Sequence, residues 1–295
     1  MSARGDIELI ENSLAQIFRI PDSLPRKLEQ NSHLVRFFEC IQYSLLNGGK
    51  RFRPSLILSI AEAHQKNKGD YIPFAAAVEM VHTYSLIHDD LPALDNDKER
   101  RGKATNHIVY GEASALLAGD ALLTEAFTLI GRAYHDRPQL GLKLVLLLGE
   151  AAGLRGMIGG QVMDMMTKKF ANAEEIILMH EMKTGALIRI AIEGAALIAA
   201  ENEDLAAKSE VQILWKEFGR QLGLSFQIAD DILDYDQQFE DHKNLASLIS
   251  VEKAQQQLQT TSQRALDALQ KISTLQNLKV QHLAELVEFN RQRKL

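Results

Sequence analysis

The chain has 295 residues, 46% of them hydrophobic, and a formal net charge of −6 at pH 7. This length and composition can bury a large core, and the absence of a basic excess argues against nucleic acid as the main partner. The single cysteine, Cys40, excludes a disulfide framework and predicts a buried structural thiol in a cytoplasmic protein.

Apolar residues recur at helical spacing along most of the chain, beginning with a stripe that includes Leu34, Ile41 and Leu45. Three helix breaks are predicted, at Gly48–Gly49, Gly69–Asp70 and Asp136–Pro138. Two segments are apolar nearly all round, which predicts buried helices at 141–163 and 185–200. The 250–285 region, richer in Gln and Lys, predicts amphipathic outer helices. We therefore predict an all-α protein with one domain spanning 1–295.

No membrane span is expected from the sequence. The most apolar stretch runs from Ala186 to Ala200 and contains Arg189 and Glu193. A transmembrane helix needs about 20 predominantly apolar residues, so this stretch is too short and too charged.

A first cluster of carboxylates, HDDLPALDND at 88–97, follows an apolar helical segment. Asp89 and Asp95 are six residues apart and cannot share one face of a straight helix. Pro92 disfavours helix continuation, so the helix should end or kink there and could bring Asp95 back beside Asp89. Asp90 completes this candidate group.

A second cluster lies in FQIADDILDYD at 226–236. Asp230, Asp231 and Asp234 are separated by three or four residues, so their side chains can converge over one helical turn. Like charges on a mostly apolar helix repel one another, and a bound cation would neutralise them. Clusters of oxygen ligands without His or Cys suit Mg²⁺, although either cluster alone could be a solvated loop or helix end.

Basic residues accompany the acidic clusters. Lys50, Arg51 and Arg53 lie in GGKRFRP at 48–54, and Arg100 and Arg101 follow the first cluster. Arginine suits bidentate recognition of phosphate, and lysine acts as a point charge. Together the acidic and basic groups predict a strongly anionic ligand held partly by metal.

These motifs carry a family resemblance. GGKRxRP, HDDLPxxDND, RRGKxTNH, GQxxD, KTGxL and FQxxDDILD occur in this order and resemble the trans-isoprenyl diphosphate synthases, most of all their bacterial and plastid farnesyl/geranylgeranyl branch. The resemblance implies an isoprenoid synthase bundle of ten or more helices around a deep central cavity, usually as a homodimer. It also implies isopentenyl and allylic diphosphates as substrates and roughly two to three Mg²⁺ ions per active site.

The resemblance implies a role for each matching residue. Asp89, Asp90 and Asp95 would hold Mg²⁺ that bridges to the allylic diphosphate from one side. Asp230, Asp231 and Asp234 would hold another Mg²⁺ from a facing helix. Isopentenyl diphosphate would be bound by Lys50, Arg53, His82 and Arg101, and the allylic diphosphate by Arg100 and Lys183. Thr184 and Gln227 would line the site of the carbocation, with Gln161 and Asp164 nearby. Without the resemblance, His82 would be read as a core histidine and Thr184 as bonding within its helix.

The implied reaction is head-to-tail condensation of C5 units, mainly to farnesyl diphosphate. Tyr84 and Ser85 lie five and four residues before Asp89, where a side chain one turn upstream would form the floor of the product channel. A bulky Tyr84 predicts a C15 product. Geranylgeranyl diphosphate, C20, is the alternative if the channel bypasses it.

One segment departs from the family pattern. The longer loop that follows the second cluster in relatives, GKxxGxDxxxGKxTxP, is shortened here to YDQQFEDHKNLASLIS at 235–250. The shortening between Asp236 and Leu248 predicts a weak or poorly closing enzyme for the allylic substrate. Lys243, in a short turn, is expected to have limited reach. A non-catalytic helical subunit of a synthase and a terpene cyclase therefore remain alternatives, and the former is opposed by the six retained aspartates.

Overall fold

The computed structural model describes residues 2–18, 31–201, 205–235 and 242–293. Within these residues the protein has fourteen α-helices, a 3₁₀ turn, a π-helical segment and one short hairpin. The predicted all-α fold of ten or more helices is confirmed. The chain divides into two compact units, Met1–Ser55 with Ile72–Gly141, and Leu56–Tyr71 with Leu142–Leu295. One domain spanning 1–295 stays a prediction.

The first unit surrounds a central apolar helix, α4, which packs mainly against α6. Its helices are α1 (Ser2–Ile17), α2 (Ser32–Leu45), the first turn of α3 (Phe52–Ala63), α4 (Ile72–Asp89), α5 (Asn106–Tyr110) and α6 (Glu112–Ala133). A two-residue antiparallel hairpin, β1 (Glu99–Arg100) and β2 (Lys103–Ala104), follows α4 and pairs Arg100 with Lys103. The hairpin places two arginines beside the end of α4.

The second unit is built around the longest helix, α11, which packs against α10 and α13. The elements of this unit after the 3₁₀ turn Lys68–Asp70 are α7 (Pro138–Ala152) from Leu142 onwards, α8 (Met157–Met166), α9 (Ala173–His180), the π-helical segment (Glu181–Gly185), α10 (Ala186–Ala199), α11 (Leu205–Leu233), α12 (Leu245–Ile249), α13 (Val251–Gln276) and α14 (Gln281–Arg291). The two C-terminal helices confirm the helices predicted for the 250–285 region.

The three predicted helix breaks are confirmed. Gly48 and Gly49 lie between α2 and α3 with φ of 68° and 129°, a region that favours glycine. Gly69 and Asp70 fall in the 3₁₀ turn between α3 and α4, and Pro138 is the first residue of α7. A proline is tolerated there because the first turn of a helix leaves its N–H groups unpaired.

The prediction of a buried helix over 141–163 is wrong, whereas the buried helix predicted at 185–200 is confirmed. Eleven of the fourteen residues of α10 are buried. In contrast, α7 and α8 are separated by a turn at 153–156, and Leu142, Leu146 and Leu154 are exposed. Composition shows that these helices are apolar, but it does not show whether every apolar face meets another part of the chain.

One described helix, α6, is long and apolar enough to cross a membrane by length and composition alone. Only 33% of its apolar window is buried, and Leu116 and Leu117 on it are exposed. A single helix of this kind is weak evidence for a span, because core helices of soluble proteins meet the same criterion.

Candidate active site

The first aspartate cluster lies where α4 ends. The helix stops at Asp89, and Pro92 follows in the turn. The Asp95 N–H donates to the Asp89 carbonyl oxygen at 2.9 Å, so the chain folds back and brings Asp95 beside Asp89, as the sequence predicted. Asp95 is exposed and Asp89 is half-buried. Their carboxylates are therefore accessible to a ligand.

Asp90, the middle member of this cluster, is buried and paired with Arg100. The Arg100 guanidinium contacts Asp90 Oδ1 through Nε at 2.7 Å and through Nη2 at 2.6 Å, and it also contacts Asp97 at 3.3 Å. Burial raises the pKa of the Asp90 carboxyl, and the hydrogen bond from Arg100 opposes that rise. The hairpin thus joins a predicted diphosphate ligand, Arg100, to a predicted metal ligand.

The glycine turn that follows α2 supports two arginines with different roles. Arg51 is buried, and its guanidinium donates to Glu79 Oε1 and to the Leu45 carbonyl oxygen, both at 2.7 Å. Sequence reasoning missed this structural role. Arg101 donates to the Gly48 carbonyl oxygen at 2.5 Å and lies over Gly49, where any Cβ would collide with its guanidinium. The paired glycines therefore make room for Arg101.

His82, one of the four residues predicted to bind isopentenyl diphosphate, lies near the positive charges of two others, Arg53 and Arg101. Burial lowers the pKa of His82 well below its ordinary value, and the positive charges of Arg53 and Arg101 lower it further. His82 is therefore a neutral hydrogen-bonding group at neutral pH. The fourth residue, Lys50, is exposed on the glycine turn.

Tyr84 is a buried residue of α4, one turn before the first aspartate cluster. The residue is 4% exposed, its ring lies 5.6 Å from the His88 ring, and its hydroxyl has no hydrogen-bond partner among the described residues. Burial raises the pKa of this hydroxyl to about 12. Ser85 donates its hydroxyl to the His82 carbonyl oxygen at 2.9 Å.

In the second unit, two lysines share the carboxylate of Asp164 on α8. Lys183 Nζ lies 2.5 Å from Asp164 Oδ2, and Lys243 Nζ lies 3.1 Å from Asp164 Oδ1. Burial alone would raise the pKa of Asp164, but the two lysines outweigh it and the pKa is lowered. Gln161, also on α8, has both amide atoms buried without a hydrogen-bond partner among the described residues. A polar ligand or water would satisfy them.

The expectation that Lys243 has limited reach is wrong. The neighbouring Asn244 caps α12 by accepting from the Ser247 N–H, and its amide donates to the Asp231 carbonyl oxygen at 2.7 Å. These bonds hold the turn against α11, so Lys243 points towards Asp164. The part of the shortened segment at 236–241 lies outside the described residues.

Lys183 and half-buried Thr184 lie in the π-helical segment, which the sequence did not predict. This segment packs against α8 so closely that a Cβ on Gly160 would collide with the Lys183 backbone. Single π-helical turns within α-helices occur often at functional sites. The wider turn and the glycine together place Lys183 beside Asp164.

The second aspartate cluster lies at the end of α11, and its members have different partners. Asp230 Oδ1 lies 2.7 Å from the Arg293 guanidinium, which also stacks over Phe226 at 4.8 Å, and Gln227 donates to Asp230 Oδ2 at 3.3 Å. Burial raises the pKa of Asp230, Arg293 opposes this, and the nearby charge of Asp234 adds to the rise. The Asp234 N–H donates to the Asp230 carbonyl oxygen at 2.8 Å, so the two residues are one helical turn apart.

Asp231 faces a different set of groups. Its Oδ2 lies 2.7 Å from His180 Nε2 and 2.8 Å from the Leu245 backbone nitrogen. His180 ends α9, immediately before the π-helical segment. Helical spacing allows all three aspartates to converge over one turn, but the Asp231 carboxylate is held by these partners.

The donor set of each cluster suits Mg²⁺. Among the described residues, no three or more His, Cys, Asp or Glu side chains are already gathered around one point. Mg²⁺, however, usually takes only one or two carboxylates and completes its shell with water and substrate phosphate. Asp89 with Asp95, and Asp230 with Asp234, each provide such a pair.

Comparisons with known proteins agree on one family. The family model described as Polyprenyl synthetase matches residues 35–287. The chain is 41% identical over 269 residues to a farnesyl diphosphate synthase of Micrococcus luteus, covering 87% of this chain and 90% of the relative. It is 42% identical to a geranylgeranyl diphosphate synthase of Cyanophora paradoxa, covering 73% of this chain and 70% of the relative.

A solved structure shows the same fold. The apo crystal structure of an FPP/GFPP synthase from Zymomonas mobilis superposes with a TM-score of 0.82 at 29% identity, covering 98% of this chain and 96% of that one. The family resemblance seen in the motifs is thereby confirmed. The chain belongs to the polyprenyl synthetase family.

Proposed function

We propose that the chain is a prenyl transferase that condenses isopentenyl diphosphate with dimethylallyl and geranyl diphosphate to form farnesyl diphosphate. The observation that carries this proposal is the 41% identity to a farnesyl diphosphate synthase over 87% of the chain. Both aspartate clusters, each with an arginine or lysine beside it, support the same chemistry.

Diphosphate binding is assigned to the basic side chains. Arg53, neutral His82 and Arg101, together with Lys50, bind isopentenyl diphosphate. Arg100 and Lys183 bind the allylic diphosphate; both already contact carboxylates, so they are held in defined positions. When bound by the aspartate clusters, Mg²⁺ would stabilise the negative charge that develops on the leaving diphosphate.

The reaction begins with cleavage of the allylic carbon–oxygen bond, whose electron pair remains on the diphosphate. Arg100 and Lys183 stabilise this charge through contacts that strengthen as it develops. The double bond of isopentenyl diphosphate then adds to the allylic cation, and the new cation loses a proton to the departing diphosphate. Thr184 and Gln227 line the region where the cation forms. Exclusion of water protects it.

We assign the limit of chain length at C15 to Tyr84. Its ring is buried in α4 one turn before Asp89, in the position where a growing chain would meet it. The geranylgeranyl alternative keeps support from the relative in Cyanophora paradoxa.

A cytoplasmic homodimer completes the proposal. Leu116 and Leu117 on α6 are exposed. Large apolar side chains in solvent mark an interaction surface, and a second copy of the chain would cover them.

Product analysis tests the proposed function. Purified protein is incubated with isopentenyl diphosphate and, in turn, dimethylallyl, geranyl and farnesyl diphosphate, and the products are identified by mass spectrometry. We expect C15 from the first two primers and little extension of the third. Asp89→Ala and Asp230→Ala should each lower turnover by about 10²-fold or more, since charge stabilisation is lost. Cyclic hydrocarbons, or no condensation at all, would overturn the proposal.

A further inference from the structure

The carboxylate of Asp231 joins three segments of the second unit. One oxygen, Oδ2, is bonded by His180 Nε2 at 2.7 Å and by the Leu245 N–H at 2.8 Å. The Asp231 carbonyl oxygen also accepts from the Asn244 amide at 2.7 Å. Asp231 therefore ties the end of α9 and the start of α12 to the end of α11.

These contacts are buried beside a hydrophobic cluster. The side chains of His180 and Asp231 are 7% and 13% exposed. Ile228, Leu245 and Met179 of the adjacent cluster are buried as well. Turning the Asp231 carboxylate towards a metal would leave the His180 and Leu245 N–H groups without an acceptor, and unpaired buried donors are costly.

Asp230 is held very differently. Its partner, Arg293, is a long side chain, and the Asp230 side chain is 30% exposed. A diphosphate or a cation can exchange with such a partner without unpairing any backbone group. Asp234, whose charge acts on Asp230, is exposed in the bend after α11.

The first cluster shows the same division of roles. Asp90, the second residue of its Asp–Asp pair, is 3% exposed and bonded to Arg100, whereas Asp89 and Asp95 are more accessible. In each cluster the second aspartate of the pair is less exposed than the first.

We propose that Asp231 is a positioning residue that acts with His180, and that Asp230 and Asp234 provide the metal-facing carboxylates of the second cluster. His180 directly precedes the π-helical segment, and Lys183 follows three residues later. The Asp231–His180 bond therefore sets the position of Lys183 relative to α11. The inference deepens the proposed function and rests on it for the identity of the diphosphate.

Glycines on both sides of the π-helical segment explain why its position is sensitive to one bond. A Cβ on Gly223 of α11 would lie 3.0 Å from the Gly185 Cα, and Gly160 of α8 packs against the Lys183 backbone. The segment is thus enclosed between two helices. A small displacement at His180 would be transmitted to Lys183.

Asp231→Asn separates positioning from metal binding. Because two N–H groups point at Oδ2, the amide oxygen of asparagine would occupy that place and its NH₂ group would replace Oδ1. An NH₂ group cannot bind a cation, so any metal contact through Oδ1 would be lost while both hydrogen bonds remain. Asp230→Asn is the matched control.

The primary readout is the affinity for Mn²⁺ measured by electron paramagnetic resonance in the presence of inorganic diphosphate, which requires no turnover. We expect Asp231→Asn to leave this affinity near the wild-type value and Asp230→Asn to weaken it by about 10- to 100-fold, since a charge-assisted contact worth roughly 1.5–3 kcal/mol is lost. Equal losses in the two variants would overturn the proposal.

His180 variants test the positioning role in a second way. His180→Phe keeps the ring shape but removes the donor, whereas His180→Gln restores an N–H near the position of Nε2. We expect His180→Phe to lower kcat by about 10- to 100-fold with little change in the KM for isopentenyl diphosphate, and His180→Gln to recover most of it. An equally impaired glutamine variant with a wild-type melting temperature would contradict the proposal. If wild-type protein lacks condensation activity, the proposed function fails, and the Mn²⁺ measurement still decides the role of Asp231.

Discussion

Replacing Tyr84 by alanine tests whether this residue ends chain elongation. The ring is 4% exposed and packs edge-on against His88 at 5.6 Å. Removing it leaves room beside α4, in the path proposed for the growing chain. Tyr84→Ala should therefore shift the product from C15 to C20 and longer.

The stability cost of this change follows from the same surroundings. Truncating a buried aromatic side chain to alanine costs about 3–5 kcal/mol. The Tyr84 hydroxyl is buried without a partner among the described residues, so losing it offsets about 1–3 kcal/mol of that cost. A domain with about 5–15 kcal/mol of stability should survive the change, with a lower melting temperature.

The assay compares product lengths from geranyl and farnesyl diphosphate by mass spectrometry at a temperature where the variant is folded. Tyr84→Phe is the matched control, since it keeps the ring and removes only the unpaired hydroxyl. The phenylalanine variant should make C15 and be at least as stable as the wild type. A folded alanine variant that still makes only C15 would refute the assignment of Tyr84 as the channel floor.

Lys243→Ala should raise the allylic KM roughly fivefold, about 1 kcal/mol for a partly exposed pair, with the KM for isopentenyl diphosphate unchanged. Lys243→Arg should restore the contact to Asp164; no change in the alanine variant would mean that Lys243 has no part in allylic binding. Because the pKa of His82 is lowered well below its ordinary value, it gains a proton only in acid, so the KM for isopentenyl diphosphate should be flat between about pH 6 and 8. A KM that rises through this range in wild type but not in His82→Gln would contradict a neutral His82. Arg51→Met should cost about 3–5 kcal/mol in denaturant unfolding, since it leaves Glu79 buried and unpaired, and Arg51→Met/Glu79→Leu should recover most of it. A single variant as stable as the wild type would show that the pair is unimportant.

Local rules predicted much of the helix pattern and the turn that forms the first cluster. Pro92 restricts the backbone conformation of itself and of the preceding residue. The end of α4 and the position of Asp95 beside Asp89 could therefore be inferred from a few residues. Cys40 is buried as expected, and burial raises the pKa of its thiol to about 11, which keeps it protonated at neutral pH. Such features depend on residues close in sequence.

Features that depend on distant residues were missed. Helical spacing placed Asp231 beside Asp230 and Asp234, but its partner His180 lies 51 residues away and cannot be found from spacing. The reach of Lys243 depends on the cap formed by Asn244, and the π-helical segment depends on close packing against Gly160. The exposed faces of α7 and α8 escaped prediction for a related reason. Hydrophobicity alone does not identify the surface that will cover an apolar helix.

The magnesium dependence of condensation between geranyl and isopentenyl diphosphate tests the proposed reaction directly. Purified protein is assayed with excess Mg²⁺, after removal of metal with EDTA, and after Mg²⁺ is restored. We expect farnesyl diphosphate in the first and third conditions and none in the second. Undiminished product formation in EDTA, or no farnesyl diphosphate at any Mg²⁺ concentration from folded protein, would contradict it.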